Sequence, residues 1–193
     1  MAADAPLDTD DSADAEFAAW HRRFAGMANN HGWALAERPA LDDDERRSLL
    51  YAAYAAAYHW DAIGTEVLAA RAELLLARAH ALNGDAVLAT HYAASAFAFI
   101  TGAGGGVAGE PWEVAFAHAA VAEAAAARGD GEEHARFHGS AKALGDALVD
   151  ADDRAIFFAT FDRLPLPVPV VGRDDGSSGV AADGGTAGIR TGG

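Results

Sequence analysis

Imidazole is the one catalytic or metal-binding group that this chain carries in quantity, with eight histidines and no cysteine. Without thiols, neither disulfides nor thiolate chemistry is available. His134 and His138, in HARFH, lie four residues apart and share one face of a helix, the spacing of two metal ligands on one helix. Glu132 and Glu133 offer oxygen ligands, but no third ligand is specified. HExxH is absent, and so is the ExxH of di-iron bundles. A partly exposed pair of helix histidines is the plainer expectation, and no cofactor is called for. Glu73, His80 and Asn83 fall on one face of another helix, with His91 and His118 on segments that could approach it. Seven residues put Glu73 and His80 about 10 Å apart along the axis, too far to act directly as an acid–base pair. His80 is expected instead to be a hydrogen-bonded structural residue.

The richest aromatic group is Tyr51, Tyr54 and Tyr58, followed by His59 and Trp60. Read for function, these residues with Glu73 and His80 border a groove for a peptide or a small aromatic ligand. Read for structure, they are packing between helices, and the apolar stripe on the opposite side of the same helix favours packing. Gly104, Gly106 and Gly109 form a GxGxxG match in GAGGGVAGE. A dinucleotide loop needs a strand before it, and here a helical pattern precedes it, so a plain loop is expected.

Seven helical patterns must position these residues. The first follows Asp11, Ser12 and Asp14 and has Phe17, Trp20, Phe24 and Met27 as its expected buried stripe, with a weak point at Gly32. The second, Asp42 to Ile63, carries Leu49, Ala53, Ala56, Trp60 and Ile63 on one side and the tyrosines beside them. It has almost no charge from Leu49 to Trp60, which predicts a central, mostly covered helix. Gly64 and Thr65 read as its stop and the next N-cap. Glu66 to Asn83 presents Leu68, Ala72, Leu75, Ala79 and Leu82, and Gly84 ends it. Asp85 to Thr101 presents Val87, Ala93, Ala96, Phe97 and Ile100. Pro111 opens a fifth helix that Gly129 ends. Asp130 caps a sixth that runs to Val149, with Phe137, Ala141, Leu144 and Leu148 inward. Asp152 to Arg163 offers Ile156, Phe157, Phe158 and Phe161 as a lid on the last pair.

Residues 1–11 are small and acidic, and the proline-alternating, glycine-rich stretch 165–193 cannot continue a helix. Both are expected to be disordered, leaving 12–164 as one helical domain. Alanine is about a quarter of the residues and Lys142 is the sole lysine, a bias that suggests a GC-rich bacterial genome. A net charge of −15 argues against nucleic acid and anionic membranes as partners and leaves room for a basic one. The acidic start does not read as a signal peptide, and no apolar run approaches a membrane span, so a cytoplasmic location is expected.

Leu76 to Ala96 resembles a tetratricopeptide unit. Leu76 and Ala77 stand at its large–small pair, His80 at the usual tyrosine, Gly84 at the turn, and Ala89 and Ala96 at the small positions of the second helix, with Tyr92 beside them. Glu73 departs from the large apolar residue of the repeat, and His134 from a small one in the next hairpin. That hairpin follows after about 45 residues rather than about 34. NNHGWAL (29–35), AAYHWDAIGT (56–65) and DDRAIFFATFDRL (152–164) resemble a group of small bacterial helical proteins described as tetratricopeptide-like. Gly32 is smaller than the residue expected there from that group. The resemblance implies an all-α array of antiparallel hairpins and supplies no catalytic residues. The function expected is a non-catalytic interaction module for an unknown protein or peptide, with self-association through alanine-rich faces left open. The alternative is a small-molecule- or metal-binding bundle, enzymatic or not, that uses the helix histidines.

Overall fold

The computed structural model describes residues 10–64, 66–103 and 109–168. Among them are seven α-helices and no strand: α1 (Asp10–Ala36), α2 (Asp43–Asp61), α3 (Glu66–Leu82), α4 (Ala86–Ile100), α5 (Pro111–Ala127), α6 (Gly131–Asp146) and α7 (Ala151–Phe161). The all-α class read from the spacing is what the chain adopts. Thr65, and Gly104 and Gly106 of the GxGxxG match, lie outside the described residues, as do most of 1–11 and 165–193. Of those two stretches, Asp10 and Asp11 belong to α1, and the Pro165 carbonyl accepts a hydrogen bond from His134. No described helix is long and apolar enough to cross a membrane.

Helix ends follow from local chemistry. Asp42 and Glu45 form a reciprocal capping box at the start of α2, each side chain accepting from the other's backbone N–H. The α3–α4 and α5–α6 turns use one device twice. Gly84 and Gly129 adopt φ of 77° and 78°, a region in which a side chain is strained. The following aspartate N–H then reaches back to close the ending helix, Asp85 to the His80 carbonyl and Asp130 to the Ala125 carbonyl. The same aspartates cap the next helix, accepting from the N–H of Leu88 and Glu133.

Each helix packs on its chain neighbours, and α3 also packs on α1 and α5, as α5 does on α7. The odd-numbered helices therefore make a continuous inner layer. Helices α2, α4 and α6 lie outside it, each touching only the helices before and after it among the described residues. Alanine makes this close packing practicable, since short side chains bring helix axes together. Helix α4 buries Ala89, Ala93 and Ala96, and α5 buries Ala115, Ala117, Ala119, Ala122 and Ala124. Gly32 serves the same end. A Cβ there would stand 2.7 Å from Leu75 Cδ2, so glycine is what lets α1 settle against α3. Helix α1 runs through this position without a break.

Three expectations are corrected. Helix α2 is peripheral, and the central positions belong to α3 and α5. Its uncharged outer side presents Tyr51, Tyr54 and Tyr58 outward, with no third helix against it among the described residues. The α1 stripe of Phe17, Trp20, Phe24 and Met27 is exposed, at 61, 47, 45 and 60%. Helix α1 instead turns Ala25, Gly32, Leu35 and Ala36 inward. Val87 and Ile156 also face outward, whereas Phe157 and Phe161 cover the core as expected.

Candidate functional site

Four helices of the inner layer enclose a cavity of about 300 Å³. Helix α1 contributes Asn29 and Trp33, and Glu37 follows at its end. Arg71 and Leu74 come from α3, Trp112 and Phe116 from α5, and Ile156 and Thr160 from α7. Each helix presents residues three or four apart, or one per turn, as a helix lining a wall must. The rings meet as corners: Trp33 and Phe116 are 5.8 Å apart at 67°, and Trp112 and Phe116 are 6.1 Å apart at 84°. These edge-to-face contacts hold the walls in place. Phe157, fully buried, stands behind Phe116 at 5.3 Å.

Charge is arranged with equal care. Arg71 Nε donates to Glu113 Oε1 at 2.6 Å, and the guanidinium lies over the Trp112 ring at 5.0 Å. Glu113 is buried, and its other oxygen accepts the Glu110 N–H at 2.7 Å at the start of α5. Glu37 accepts from the Thr160 hydroxyl at 3.4 Å and has no basic partner among the described residues.

Beside this cavity, Arg78 and Glu123 form a buried ion pair. Arg78 Nη1 donates to both carboxylate oxygens, at 3.0 and 2.9 Å, and Nη2 donates to the Ala36 carbonyl at 2.9 Å. Burial pushes the Glu123 carboxyl above its usual range, opposed by the arginine charge. The pair ties α3 to α5 and to the end of α1. Its signal in the sequence is a single charge inside each of two otherwise apolar runs, LLLARAHAL and AVAEAAAA. The signal for the cavity is weaker. Trp33, Arg71 and Trp112 lie far apart in sequence, and only the packing of α1, α3 and α5 brings them together.

The residues singled out from the sequence are dispersed. Tyr51, Tyr54 and Tyr58 are exposed at 69, 42 and 66%. Tyr51 and His59 line a shallow groove of about 410 Å³ between α1 and α2, together with Phe24, Met27, His31 and Ser48. Tyr54 instead reaches α3, its hydroxyl 2.8 Å from His80 Nε2. Asp85 Oδ2 lies 3.4 Å from His80 Nδ1, without a hydrogen bond between them. Tyr92 stacks on the imidazole at 5.6 Å. Burial holds His80 below its ordinary value, against the pull of Asp85. Burial, then Tyr92, pushes Tyr54 up to about 12. His80 is thus hydrogen-bonded as expected, through Tyr54. Glu73 and Trp60 are partly buried and join neither group.

The other histidines do not join His80, and His134 and His138 stay side by side with ring centroids 5.8 Å apart. His59 Nδ1 lies 3.1 Å from His21 Nδ1, and His118 packs between Phe97 and Phe137. His91 is exposed beside Tyr92. His134 is buried rather than partly exposed, and its Nε2 donates to the Pro165 carbonyl at 3.0 Å. That bond takes up one of the two ring nitrogens. His138 turns toward Phe161 at 4.6 Å. Among the described residues no three metal-ligating side chains converge. Comparison with protein-family models, curated proteins and solved structures finds no match to this chain.

Proposed function

We propose that this chain is a non-catalytic recognition module, tetratricopeptide-like in design, whose inner helical layer receives a small ligand or a single side chain of a partner protein. One observation carries the reading: a cavity of about 300 Å³ walled by all four odd-numbered helices. That volume is at the lower end for ligand sites, and three aromatic walls with a few polar groups are the usual make-up of one. It suits one compact group better than an extended chain. The repeat-like residues from Leu76 to Ala96 support the module reading, because helical arrays of that design present a shared inner surface. No histidine lines the cavity, so the alternative of chemistry built on helix histidines draws nothing from it. The net charge of −15 favours a basic partner over nucleic acid, and a cytoplasmic setting belongs to the same proposal.

Ile156 provides the test because it lines the cavity yet is 59% exposed, so bulk can be added without disturbing the core. A thermal-shift screen of small molecules and short peptides is run on the wild type and on Ile156→Trp. Ligands that stabilise the first and not the second are expected. Identical responses from both proteins would remove the cavity from any account of function.

A further inference from the structure

We infer that the inner cavity takes an organic cation carried on an apolar stem: a primary ammonium or guanidinium group attached to an aromatic or aliphatic body. The inference rests on reading the cavity as a binding site and adds the chemistry of its occupant.

The argument is one of charge balance against aromatic walls. Two oppositely charged side chains line the cavity, Arg71 and Glu37. Arg71 is already answered by Glu113 at 2.6 Å, so that couple sums to no net charge. Glu37 meets only the Thr160 hydroxyl, at a long 3.4 Å, and no basic side chain among the described residues. The one uncompensated charge at the cavity is therefore negative, in a protein whose overall field also draws cations.

The walls agree with the charge. Indole faces attract cations more strongly than any other side-chain ring. This cavity already shows the effect, since the Arg71 guanidinium sits over Trp112 at 5.0 Å. Trp33 and Phe116, meeting at 67°, supply a second aromatic corner in the same cavity. An anion would meet Glu37 and the electron-rich ring faces. A neutral apolar body would fill the space but leave the Glu37 carboxylate unanswered as water is displaced. A cation on an apolar stem satisfies carboxylate and rings together. Free amines and the lysine or arginine side chain of a basic protein share this chemistry.

The test reads the four tryptophan indole N–H resonances of the full chain by NMR, assigned with single Trp→Phe variants. Three probes on one carbon skeleton are titrated: phenethylammonium, 2-phenylethanol and phenylacetate. The expected result is a saturable shift of Trp33 and Trp112, and not of Trp20 or Trp60. Phenethylammonium should bind roughly tenfold more tightly than the alcohol or the acid, and that advantage should disappear in Glu37→Gln. Glutamine keeps an oxygen for Thr160, so its fold is not at risk. A blocked Gly-Lys-Gly peptide is the second arm, and its binding relative to phenethylammonium says whether the cation comes from a protein or a free amine. If alcohol or acid binds at Trp33 and Trp112 as well as the amine, the cation inference fails while the site stands. If no probe or peptide moves those two resonances at ~10 mM, both fall.

Discussion

The inner cavity and the outer face of the first hairpin are both rich in aromatic residues, and they differ in what stands behind each ring. In the cavity, Trp33, Trp112 and Phe116 brace one another, with Phe157 behind, and the arginines nearby, Arg71 and Arg78, each pair with a buried glutamate. On the outer face, Phe17, Trp20, Phe24, Met27, Tyr51 and Tyr58 stand largely in solvent. The contacts around them run along α1 and across to α2, such as Trp20 on Phe24 and His21 beside Tyr58. Rings held from behind keep a fixed shape that a ligand can match. Rings that stand between one pair of helices with solvent on their other side are held less firmly. Aromatic content alone therefore does not mark a site; the number of helices that converge on it does.

Several measurements would break or sharpen that contrast. The largest effect is expected from Arg78→Met, which leaves Glu123 buried without its cation and the Ala36 carbonyl without a donor. It should cost about 3–5 kcal/mol in chemical denaturation, with most of the loss recovered in Arg78→Met/Glu123→Leu. An effect below about 1 kcal/mol would mean that the inner layer does not rely on the pair. Next comes Gly145→Ala. Its Cβ would fall 2.2 Å from Phe157 Cε1, a ring wedged behind the cavity. Overpacking of about 1–3 kcal/mol is expected, with perturbed Trp33 and Trp112 signals, and a neutral outcome would show that the support is soft. Tyr54→Phe removes the hydroxyl from a buried imidazole and should cost about 1 kcal/mol, more than removal of its exposed neighbours.

Acid should act on the histidines packed between helices. Burial holds His59, His80, His118 and His138 below the ordinary value of 6.5. The folded protein keeps them neutral while the unfolded chain takes up protons below that value. Stability is therefore complete above about pH 6.5 and falls as the pH drops toward the folded values. His118, buried with no partner for Nδ1, should contribute visibly, so His118→Leu should flatten the midpoint-against-pH curve. An unchanged curve would place the effect elsewhere. The smallest change is expected on the outer face. Tyr51→Ser and Tyr58→Ser should each shift stability by less than about 0.5 kcal/mol, and a larger loss would show that this face is supported after all.

The helices and their ends were legible because their causes are local. Asp42 with Glu45, Gly84 with Asp85, and Gly129 with Asp130 lie within a few residues of what they cap, and Pro111 opens α5 by its own ring. Burial was read well where one side of a helix was clearly apolar, as with Leu49, Ala53, Leu75 and Ala79. It was read wrongly where a helix had two apolar sides. In α1, both the Phe17–Met27 stripe and the Ala25–Ala36 side could have faced a partner, and bulk favoured the wrong one. Small residues won because α3 lies close enough that a Cβ on Gly32 would press into the Leu75 side chain. The cavity was the least legible part, since the tyrosines share one helix and the cavity residues come from four.

By itself the sequence determined that there are seven helices and which capping residues bound most of them, that the fold is all-α, and that the excess charge is negative, for these follow from composition and from spacings within a turn or two. Only the tertiary structure decided which apolar face is covered, which charges are answered, and that Trp33, Glu37, Arg71, Trp112 and Thr160 surround one cavity. The physical reason is that helical periodicity repeats every few residues, whereas burial and charge pairing depend on partners tens of residues away, brought close only when the helices pack.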